Sequence, residues 1–296
     1  MRKLMMISLV AMFAFNAVVA GEDKIVEELK ARTLIVKKLK EDPKVVKKLK
    51  KDLGKLAAYR KNIKESNELL KKTVGRYWKH HSTPIYKTTA EIQLMKEVEK
   101  KKKKKLRKSY AVLSMDFFSE KHETREVSAV QTNQRYTGDA LYLYVRFWDG
   151  VEVVYTSIPH VIPTESDLVY AVRYLSNQIE GMKFNKNITD LCEENGPQVR
   201  TKTLLVTSFQ ISELKEKDLL KIYPYPYKVV SQDTIDKAIL TSDPKYACIV
   251  ETDQSDTVVL KTMILTATGQ FAGYITSIKR TPLTKKDLKN LVKYCK

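Results

Sequence analysis

The histidines and cysteines are the residues of this chain best suited to catalysis or metal binding. They are His80, His81, His122, His160, Cys192, Cys248 and Cys295. His80 and His81 are adjacent, so on a helix their side chains would point about 100° apart, and no carboxylate or cysteine lies at the spacing of a zinc site. His122 and His160 are isolated in the sequence. We therefore predict no metal site and no cofactor.

No motif in the sequence holds a nucleophile or cradles a phosphate. The Gly-x-Ser-x-Gly turn that presents the serine of many hydrolases is absent. Glycine occurs only 9 times in 296 residues, and no glycine-rich phosphate loop is present. We therefore predict no catalytic residues and expect a non-enzymatic protein. The alternative is an exported hydrolase whose catalytic residues are scattered through the sequence.

Three cysteines are too few for a disulfide framework. In an oxidising compartment Cys192 and Cys248 could form one bridge, leaving Cys295 free at a frayed terminus. Alternatively, Cys248 is a buried small apolar residue, because it lies in the apolar run from Tyr246 to Val250. We favour the second interpretation.

A tyrosine-rich segment is a candidate partner-binding site. Residues 223–227 read Tyr-Pro-Tyr-Pro-Tyr, and tyrosine rings are enriched at binding interfaces. We predict that Tyr223, Tyr225 and Tyr227 contact a protein partner. The alternative is a rigid connector whose rings alternate between core and rim.

A run of basic residues is a candidate contact for an anionic lipid or cell-wall polymer. It consists of Lys100, Lys101, Lys102, Lys103, Lys104, Lys105, Arg107 and Lys108. The alternative is a solvated helix end, because runs of like charge are more often solvent-exposed surface than binding sites. The run lacks the interleaved aromatic residues of single-strand binders, so we predict no nucleic-acid partner.

The net charge of +19 is concentrated in one part of the chain. Residues 21–110 contain 29 Lys or Arg and 12 Asp or Glu, whereas residues 111–296 contain 23 of each. This asymmetry indicates a basic amino-terminal arm, residues 21–110, beside an electrically balanced domain, residues 111–296.

The arm is predicted to be helical. Asp42 followed by Pro43 indicates a helix start, an earlier helix is expected over residues 23–40, and a third is expected from residues 88–89. Apolar residues at steps of three and four over residues 46–74 predict a coiled-coil-like seam.

Two polar residues interrupt this seam. Arg60 and Asn67 lie at positions where polar side chains often fix register and oligomeric state. The seam could mediate homo-oligomerisation, or the helices could fold back as a short bundle.

The balanced domain is predicted to be a mixed α/β unit. From about residue 108 the apolar period changes to two, which indicates strands, and Asp149-Gly150 indicates a hairpin. Thr164 with Asp167 indicates a helix start. The order of the later elements predicts an α+β fold with a mixed sheet and helices mainly on one face.

Residues 227–239, followed by the strand from Tyr246 to Val250, resemble the α/β module of periplasmic envelope accessory proteins, such as the TolB amino-terminal domain and the curli secretion lipoprotein family. In these proteins a strand ending in a polar cap leads into a helix and then into another strand. The resemblance covers about residues 200–296 and implies a protein-binding module without catalysis. The chain lacks the lipidation cysteine of the lipoprotein members, so no membrane anchor is implied.

Residues 1–20 are expected to be a cleavable signal peptide. Arg2 and Lys3 precede an uncharged run, and Val18 with Ala20 forms a small-residue cleavage site. The run is short for a membrane span of about 20 apolar residues, and an uncleaved anchor is the alternative. We therefore expect an exported protein of the periplasm or cell surface that binds or scaffolds an envelope protein partner.

Overall fold

The computed structural model describes residues 27–80, 83–102, 109–118, 140–148, 152–160, 162–180, 187–254 and 258–296. The predicted signal peptide, His81, His122 and the hairpin turn at residues 149–150 lie outside the described residues. The fold is α+β, as predicted, and the strands within these ranges form two five-stranded sheets. In these ranges no helix has both the length and the apolar character needed to cross a bilayer.

The first sheet is formed by strands between residues 33 and 158. Its elements in chain order are β1 (Thr33–Lys37), α1 (Pro43–Leu49), α2 (Leu53–Tyr77), β2 (Ile85–Lys87), α3 (Thr89–Lys102), β3 (Tyr110–Phe118), β4 (Ala140–Phe147), β5 (Glu152–Ile158) and α4 (Glu165–Glu180). The strand order is β2-β1-β3-β4-β5. β1 is parallel to β2 and β3, and the other neighbours are antiparallel.

The second sheet follows a short helical connection. The elements in chain order are α5 (Ile188–Asn195), a 3-10 helix (Gly196–Thr201), β6 (Thr203–Val206), α6 (Glu216–Ile222), β7 (Tyr227–Val229), α7 (Gln232–Leu240), β8 (Tyr246–Asp253), β9 (Val258–Leu265), β10 (Phe271–Ile278) and α8 (Lys285–Tyr294). The strand order is β7-β6-β8-β9-β10. β6 is parallel to β7 and β8, and the other neighbours are antiparallel.

The two sheets therefore have the same topology. In each, the first strand lies between the second and third and is parallel to both, and two antiparallel strands and a helix complete the unit. We call residues 33–180 the first repeat and residues 203–294 the second repeat. The expectation of one mixed sheet in residues 111–296 is wrong, because β3 to β5 complete a sheet with β1 and β2.

Helices cover both faces of both sheets. Ile92 of α3 joins a cluster on the outer face of the first sheet, and α6 and α8 contribute to the core on the outer face of the second. Between the sheets, buried residues of α2, α4 and α7 share one core with strands of both repeats. The expectation of helices mainly on one face is wrong, because parallel strands joined by helical crossovers are buried on both sides.

α4 occupies the middle of this central layer. Of its 16 residues, 13 are buried, including the polar Arg173 and Gln178, as expected for a helix covered on all sides. The predicted helix start is confirmed: the Thr164 N–H donates to Asp167 Oδ2 at 2.8 Å, and the Asp167 N–H donates to Thr164 Oγ1 at 3.2 Å. α4 therefore ties the two repeats together, because its core includes strands of both sheets.

Part of the predicted basic arm belongs to the first sheet. The helix expected over residues 23–40 is wrong at β1, where Leu34 and Val36 point into the central core and Ile35 into the opposite cluster. A short apolar run buried on both faces has no helical period, which is the pattern of a central parallel strand. β1 pairs with β3 across the boundary expected at residue 110, so this boundary does not separate two folding units.

The predicted helices at residues 43 and 89 are confirmed. Asp42 Oδ1 accepts a hydrogen bond of 2.7 Å from the Lys44 N–H, with Pro43 as the first helical residue, and α3 begins at Thr89. The apolar seam is divided between α1 and α2, and Leu70 packs in the central core of this same chain. These contacts favour the folded-back arrangement, while self-association stays a prediction.

Candidate functional site

A crevice of about 200 Å³ lies between the second sheet and the start of α4. Its walls include Thr207 after β6, Glu251 of β8 and His160 before α4. β6 lies between β7 and β8, and the crossovers on its two sides diverge at its carboxyl end. Ligands of open α/β sheets bind at such topological switch points, so we treat this crevice as the candidate functional site.

His160 and Asp167 form a hydrogen-bonded pair at the crevice. His160 Nδ1 lies 2.8 Å from Asp167 Oδ2, and this hydrogen bond raises the pKa of His160, while partial burial acts in the opposite direction. The carboxylate is buried and is held by the Thr164 N–H. Among the described residues, His160 Nε2 has no hydrogen-bond partner. His160, although isolated in the sequence, therefore has a carboxylate partner in the fold.

Glu251 is a second titratable group in the crevice with altered proton affinity. Burial raises the pKa of its carboxyl, while the charges of Lys261 and Arg280 act in the opposite direction. Glu251 Oε1 is buried and has no hydrogen-bond partner in the described part of the chain. Such an unpaired buried acceptor costs about 1–3 kcal/mol, so a ligand that donates a hydrogen bond here would recover that cost.

Lys261 is the cross-strand neighbour of Glu251 but does not pair with it. Its ammonium group is fully buried and donates to the backbone carbonyls of Thr281 and Pro282. These two hydrogen bonds hold the segment before α8. Oε1 of Glu251 is therefore the atom of this carboxyl that is left without a partner among the described residues.

Asp236 links the two repeats across the crevice. Its Oδ1 accepts hydrogen bonds of 3.0 Å from Ser166 Oγ of α4 and 3.0 Å from Gln232 Nε2 of α7. Ser166 is buried and donates to this carboxylate. Ser166 is therefore engaged as a donor and is not arranged as a nucleophile for His160.

Arg280 closes the end of the crevice. Its guanidinium donates to both oxygens of Asp253, at 3.2 and 3.0 Å, and to the Pro159 carbonyl at 2.8 Å. A two-point pair of this kind fixes the plane of the guanidinium. Arg280 therefore joins the end of β5 to the end of β10 and has most of its charge balanced.

A second groove, of about 370 Å³, lies between the carboxyl end of β1 and α2. Its floor contains the buried side chains of Val36 and Leu70. The charged side chains that line it are Lys38, Arg60, Lys64, Lys71 and Glu68. The basic composition of this region was predicted, but the groove was not, because it depends on β1 being a strand beside α2.

The predicted partner site at residues 223–227 is only partly exposed. Tyr223 is 1% exposed, and its ring contacts the Tyr225 ring edge-on at a centroid distance of 5.4 Å. The prediction for Tyr223 is wrong, because its ring fills the core beneath α6 and α8. Tyr225 and Tyr227 are half-buried and remain predicted partner contacts.

The basic run reaches the carboxyl end of α3. Lys100, Lys101 and Lys102 are helical, and Lys103, Lys104, Lys105, Arg107 and Lys108 lie outside the described residues. Their contact with an anionic surface stays a prediction.

His80 has a structural partner. One nitrogen of its ring, Nε2, lies 3.1 Å from the Ser176 carbonyl, and the ring packs edge-on against Trp78 at 5.0 Å. No group of three metal-ligating side chains occurs in the described ranges. His80 therefore anchors the end of α2 to α4.

The three cysteines are free and buried. The interpretation of Cys248 as a buried apolar residue is confirmed, since its side chain is fully buried in the central core. This burial raises its pKa well above the ordinary thiol value. Cys295 was expected at a frayed terminus, and this expectation is wrong: its side chain is fully buried in the core beneath α8. Burial raises the pKa of Cys295 to about 11, so none of the three is arranged as a reactive thiolate.

No known protein family, no curated protein and no solved structure matches this chain. The resemblance of residues 200–296 to the TolB amino-terminal domain and the curli secretion proteins stays a prediction.

Proposed function

We propose that this chain is an exported, non-enzymatic binding protein of the cell envelope that contacts an anionic envelope component through α1 and α2. One observation carries this proposal: residues 43–77 contain 12 Lys or Arg and only 3 Asp or Glu, and all 12 basic side chains are exposed. We call these 12 side chains the basic surface. Concentrated positive charge of this kind attracts anionic lipids and polymers.

Folding alone does not account for the basic surface. Four of its members have an acidic partner: Lys55 with Asp52, Arg60 with Glu41, Lys61 with Glu65 and Lys72 with Glu165. Exposed pairs contribute only about 0–1 kcal/mol each. Like charges one helical turn apart, such as Lys44 and Lys48, destabilise a helix by a few tenths of a kcal/mol. A charge excess that opposes folding favours a role in binding.

The proposed export of the protein and its proposed protein partner are inferred from sequence features. Export rests on the predicted signal peptide at residues 1–20, and a protein partner on the resemblance of residues 200–296. The half-buried Tyr225 and Tyr227 are the residues we propose for that contact.

Vesicle binding tests the electrostatic part of the proposal. The chain lacking residues 1–20 is expected to bind vesicles with anionic lipid, to ignore zwitterionic vesicles, and to dissociate as salt rises to about 0.5 M, where screening is effective within a few Å. Reversal of four lysines at the α1–α2 corner should lower affinity more than tenfold, at about 1 kcal/mol per charge near the surface. These four are Lys47, Lys48, Lys50 and Lys51.

A matched variant controls for net charge. It reverses four exposed lysines of the second repeat, namely Lys221, Lys228, Lys286 and Lys289. The affinity of the control variant for anionic vesicles should fall less than about threefold, because its changes lie away from the basic surface. Equal losses in the two variants would contradict the assignment to α1 and α2.

Hydrolysis is a second candidate function, and the His160–Asp167 pair favours it. A buried carboxylate bonded to Nδ1 is the arrangement that orients a general-base histidine. Since Ser166 is engaged with Asp236, the nucleophile would be water. Chromogenic esters, phosphoesters and glycosides test this candidate: turnover that is unchanged in His160→Gln would exclude it.

A further inference from the structure

We propose that the crevice between the second sheet and α4 binds a single neutral or amino sugar unit. This binding site is independent of the basic surface, and it is present whether or not the His160–Asp167 pair catalyses a reaction. The argument rests on the position of the crevice, its unpaired polar atoms, its exposed aromatic ring and its charge.

The crevice exists only when both repeats are folded together. One wall contains His160 and Asp167 from the first repeat, and the other contains Asp236 and Glu251 from the second. At about 200 Å³ it is smaller than the roughly 300–1,000 Å³ pockets that hold drug-sized ligands. The space therefore suits a molecule of one sugar ring.

Polar atoms in the crevice retain unused hydrogen-bonding capacity. Glu251 Oε1 is buried without a partner among the described residues. The ring of His160 is bonded there through Nδ1, and Asp236 through Oδ1, which leaves Nε2 and Oδ2 for a ligand. A sugar hydroxyl both donates and accepts, so it can satisfy a carboxyl oxygen and an imidazole nitrogen together. Adjacent hydroxyl groups on one ring can reach several such groups at once.

Phe209 supplies an apolar face beside these polar groups. It lines the crevice and is 53% exposed, and an aromatic ring can cover the apolar face of a sugar. The loop that carries it is held in place by Gln210, whose Nε2 donates to the Ile249 carbonyl at 3.1 Å and whose Oε1 accepts from the Thr207 N–H at 3.0 Å. The ring is thus positioned before a ligand arrives.

The charge of the crevice disfavours an anionic ligand. Asp167 is hydrogen-bonded to His160, and Arg280 forms an ion pair with Asp253. Asp236 is bonded only to neutral donors, and burial favours the neutral form of Glu251 by raising its pKa. The remaining charge is negative, so a neutral or amino sugar fits better than a phosphorylated or acidic one.

Ligand-observed NMR on the chain without residues 1–20 tests this inference. The probes are glucose, N-acetylglucosamine and glucosamine at up to about 10 mM, with lysine and inorganic phosphate as comparison ligands. We expect at least one sugar to give a saturation-transfer signal and phosphate to give none. No signal from any sugar, or a signal from lysine alone, would overturn the proposal.

Substitutions locate the binding. Phe209→Ala and Glu251→Gln should each weaken sugar binding at least tenfold, whereas Leu220→Ala, which removes another exposed apolar side chain of the second repeat, should leave it unchanged. Circular dichroism confirms that each variant is folded. Equal affinity in all three variants would place the sugar elsewhere and refute the site.

These variants also separate the site from the proposed function. Phe209→Ala and Glu251→Gln should bind anionic vesicles like the unmodified chain. Failure of vesicle binding with intact sugar binding would remove the proposed function and leave the crevice as a sugar site.

Discussion

The connection from β1 to β2 and the connection from β6 to β7 occupy the same place in the two repeats but differ in length and charge. The first spans residues 38–84 with 15 Lys or Arg and 5 Asp or Glu, whereas the second spans residues 207–226 with 3 of each. Because both repeats form the same strand order, neither the extra length nor the extra charge is needed to build the sheet. The longer and more basic β1–β2 connection of the first repeat is therefore a candidate functional region.

The two connections also pack in different places. α2 lies in the central layer, where Leu70 and Val74 share the core with both sheets. α6 lies on the outer face of the second sheet, where Lys285 of α8 pairs with Asp218 at 2.8 Å. The first connection thus stabilises the joint between the repeats, and the second stabilises only its own sheet.

Alanine substitutions at two glycines are expected to give the largest difference in stability. Gly54 lies in the first repeat, and Gly196 lies just before the second. A Cβ at Gly196 would overlap the backbone carbonyl of Tyr294, whereas a Cβ at Gly54 in α2 would meet only Asp52 Oδ1 at 3.5 Å. Gly196→Ala should lower the free energy of unfolding by about 3–5 kcal/mol. Gly54→Ala should raise it by up to about 1 kcal/mol, because alanine favours a helix.

Urea denaturation of both variants measures this difference. Comparable stabilities would show that the segment before β6 can move away from α8, and that the second repeat is less tightly packed than its contacts indicate.

Two arginines around the Tyr77 ring test the joint between the repeats. Arg173 is buried, lies 4.2 Å from the ring centroid and donates to the Ile239 carbonyl at 2.6 Å, whereas Arg76 is exposed at 5.2 Å from the same ring. Arg173→Met should cost about 2–4 kcal/mol of unfolding free energy, because it leaves the Ile239 carbonyl without this donor. Arg76→Met should cost less than about 0.5 kcal/mol.

Thermal and urea unfolding of the two methionine variants would decide between these outcomes. If Arg173→Met left the free energy of unfolding unchanged, removal of the buried charge would offset the lost hydrogen bonds. Apolar packing alone would then join the repeats.

Asn67 tests whether the first connection packs within the chain or between chains. Its side chain accepts from the Leu39 N–H at 2.8 Å and donates to the Leu39 carbonyl at 3.1 Å. Asn67→Leu should therefore lower stability by about 1–2 kcal/mol without changing the sedimentation of the protein.

If Asn67 lay instead in an intermolecular coiled coil, its replacement by leucine would stabilise the oligomer. A rise in both stability and sedimentation coefficient for Asn67→Leu would restore the coiled-coil interpretation. Arg60→Leu is the companion variant at the other polar position of the seam.

The smallest expected effect concerns pH at the crevice. Since Asp167 raises the pKa of His160 above its usual 6.5, the pair stabilises the fold at low pH and loses this contribution as pH rises through the folded-state pKa. Asp167→Asn should lower the pKa of His160 in an NMR titration. Because His160 is half exposed, with Arg280 and Asp236 nearby, the stability change will be small. An unchanged pKa would mean that the hydrogen bond does not form in solution.

Local signals in the sequence were sufficient where capping chemistry marks an element. Pro43 after Asp42 and Thr164 with Asp167 placed helix starts correctly. The same type of pair, Thr284 with Asp287, begins α8 through reciprocal hydrogen bonds. Side chains within three residues of each other make these contacts, so no knowledge of the fold is required.

Non-local features were not predictable in the same way. β1 contains a three-residue apolar run without period, and β2 is only three residues long, so neither shows that residues 33 and 110 pair. The repeated topology could not be recognised in the sequence, because the β1–β2 and β6–β7 connections differ in length and composition. Recognition of β1 as a buried strand was the missing step.

The crevice was hidden for a related reason. His160 and Asp167 are seven residues apart, and Asp167 was interpreted only as a helix-start residue, although its carboxylate also holds the imidazole. Glu251 carried a usable signal, since a carboxylate ends the apolar run of β8. Its relation to His160 depends on the packing of α4 against the second sheet, which no local pattern encodes.

The placement of α4 has a consequence for the order in which the chain is made. Its Tyr174 ring stacks on Phe271 of β10 at 4.3 Å, so residues that cover this helix leave the ribosome about 100 residues after it. We expect the nascent polypeptide to stay sensitive to protease until β10 has emerged. For a protein predicted to be exported, such late closure would keep the chain loose enough to be threaded through a translocation pore.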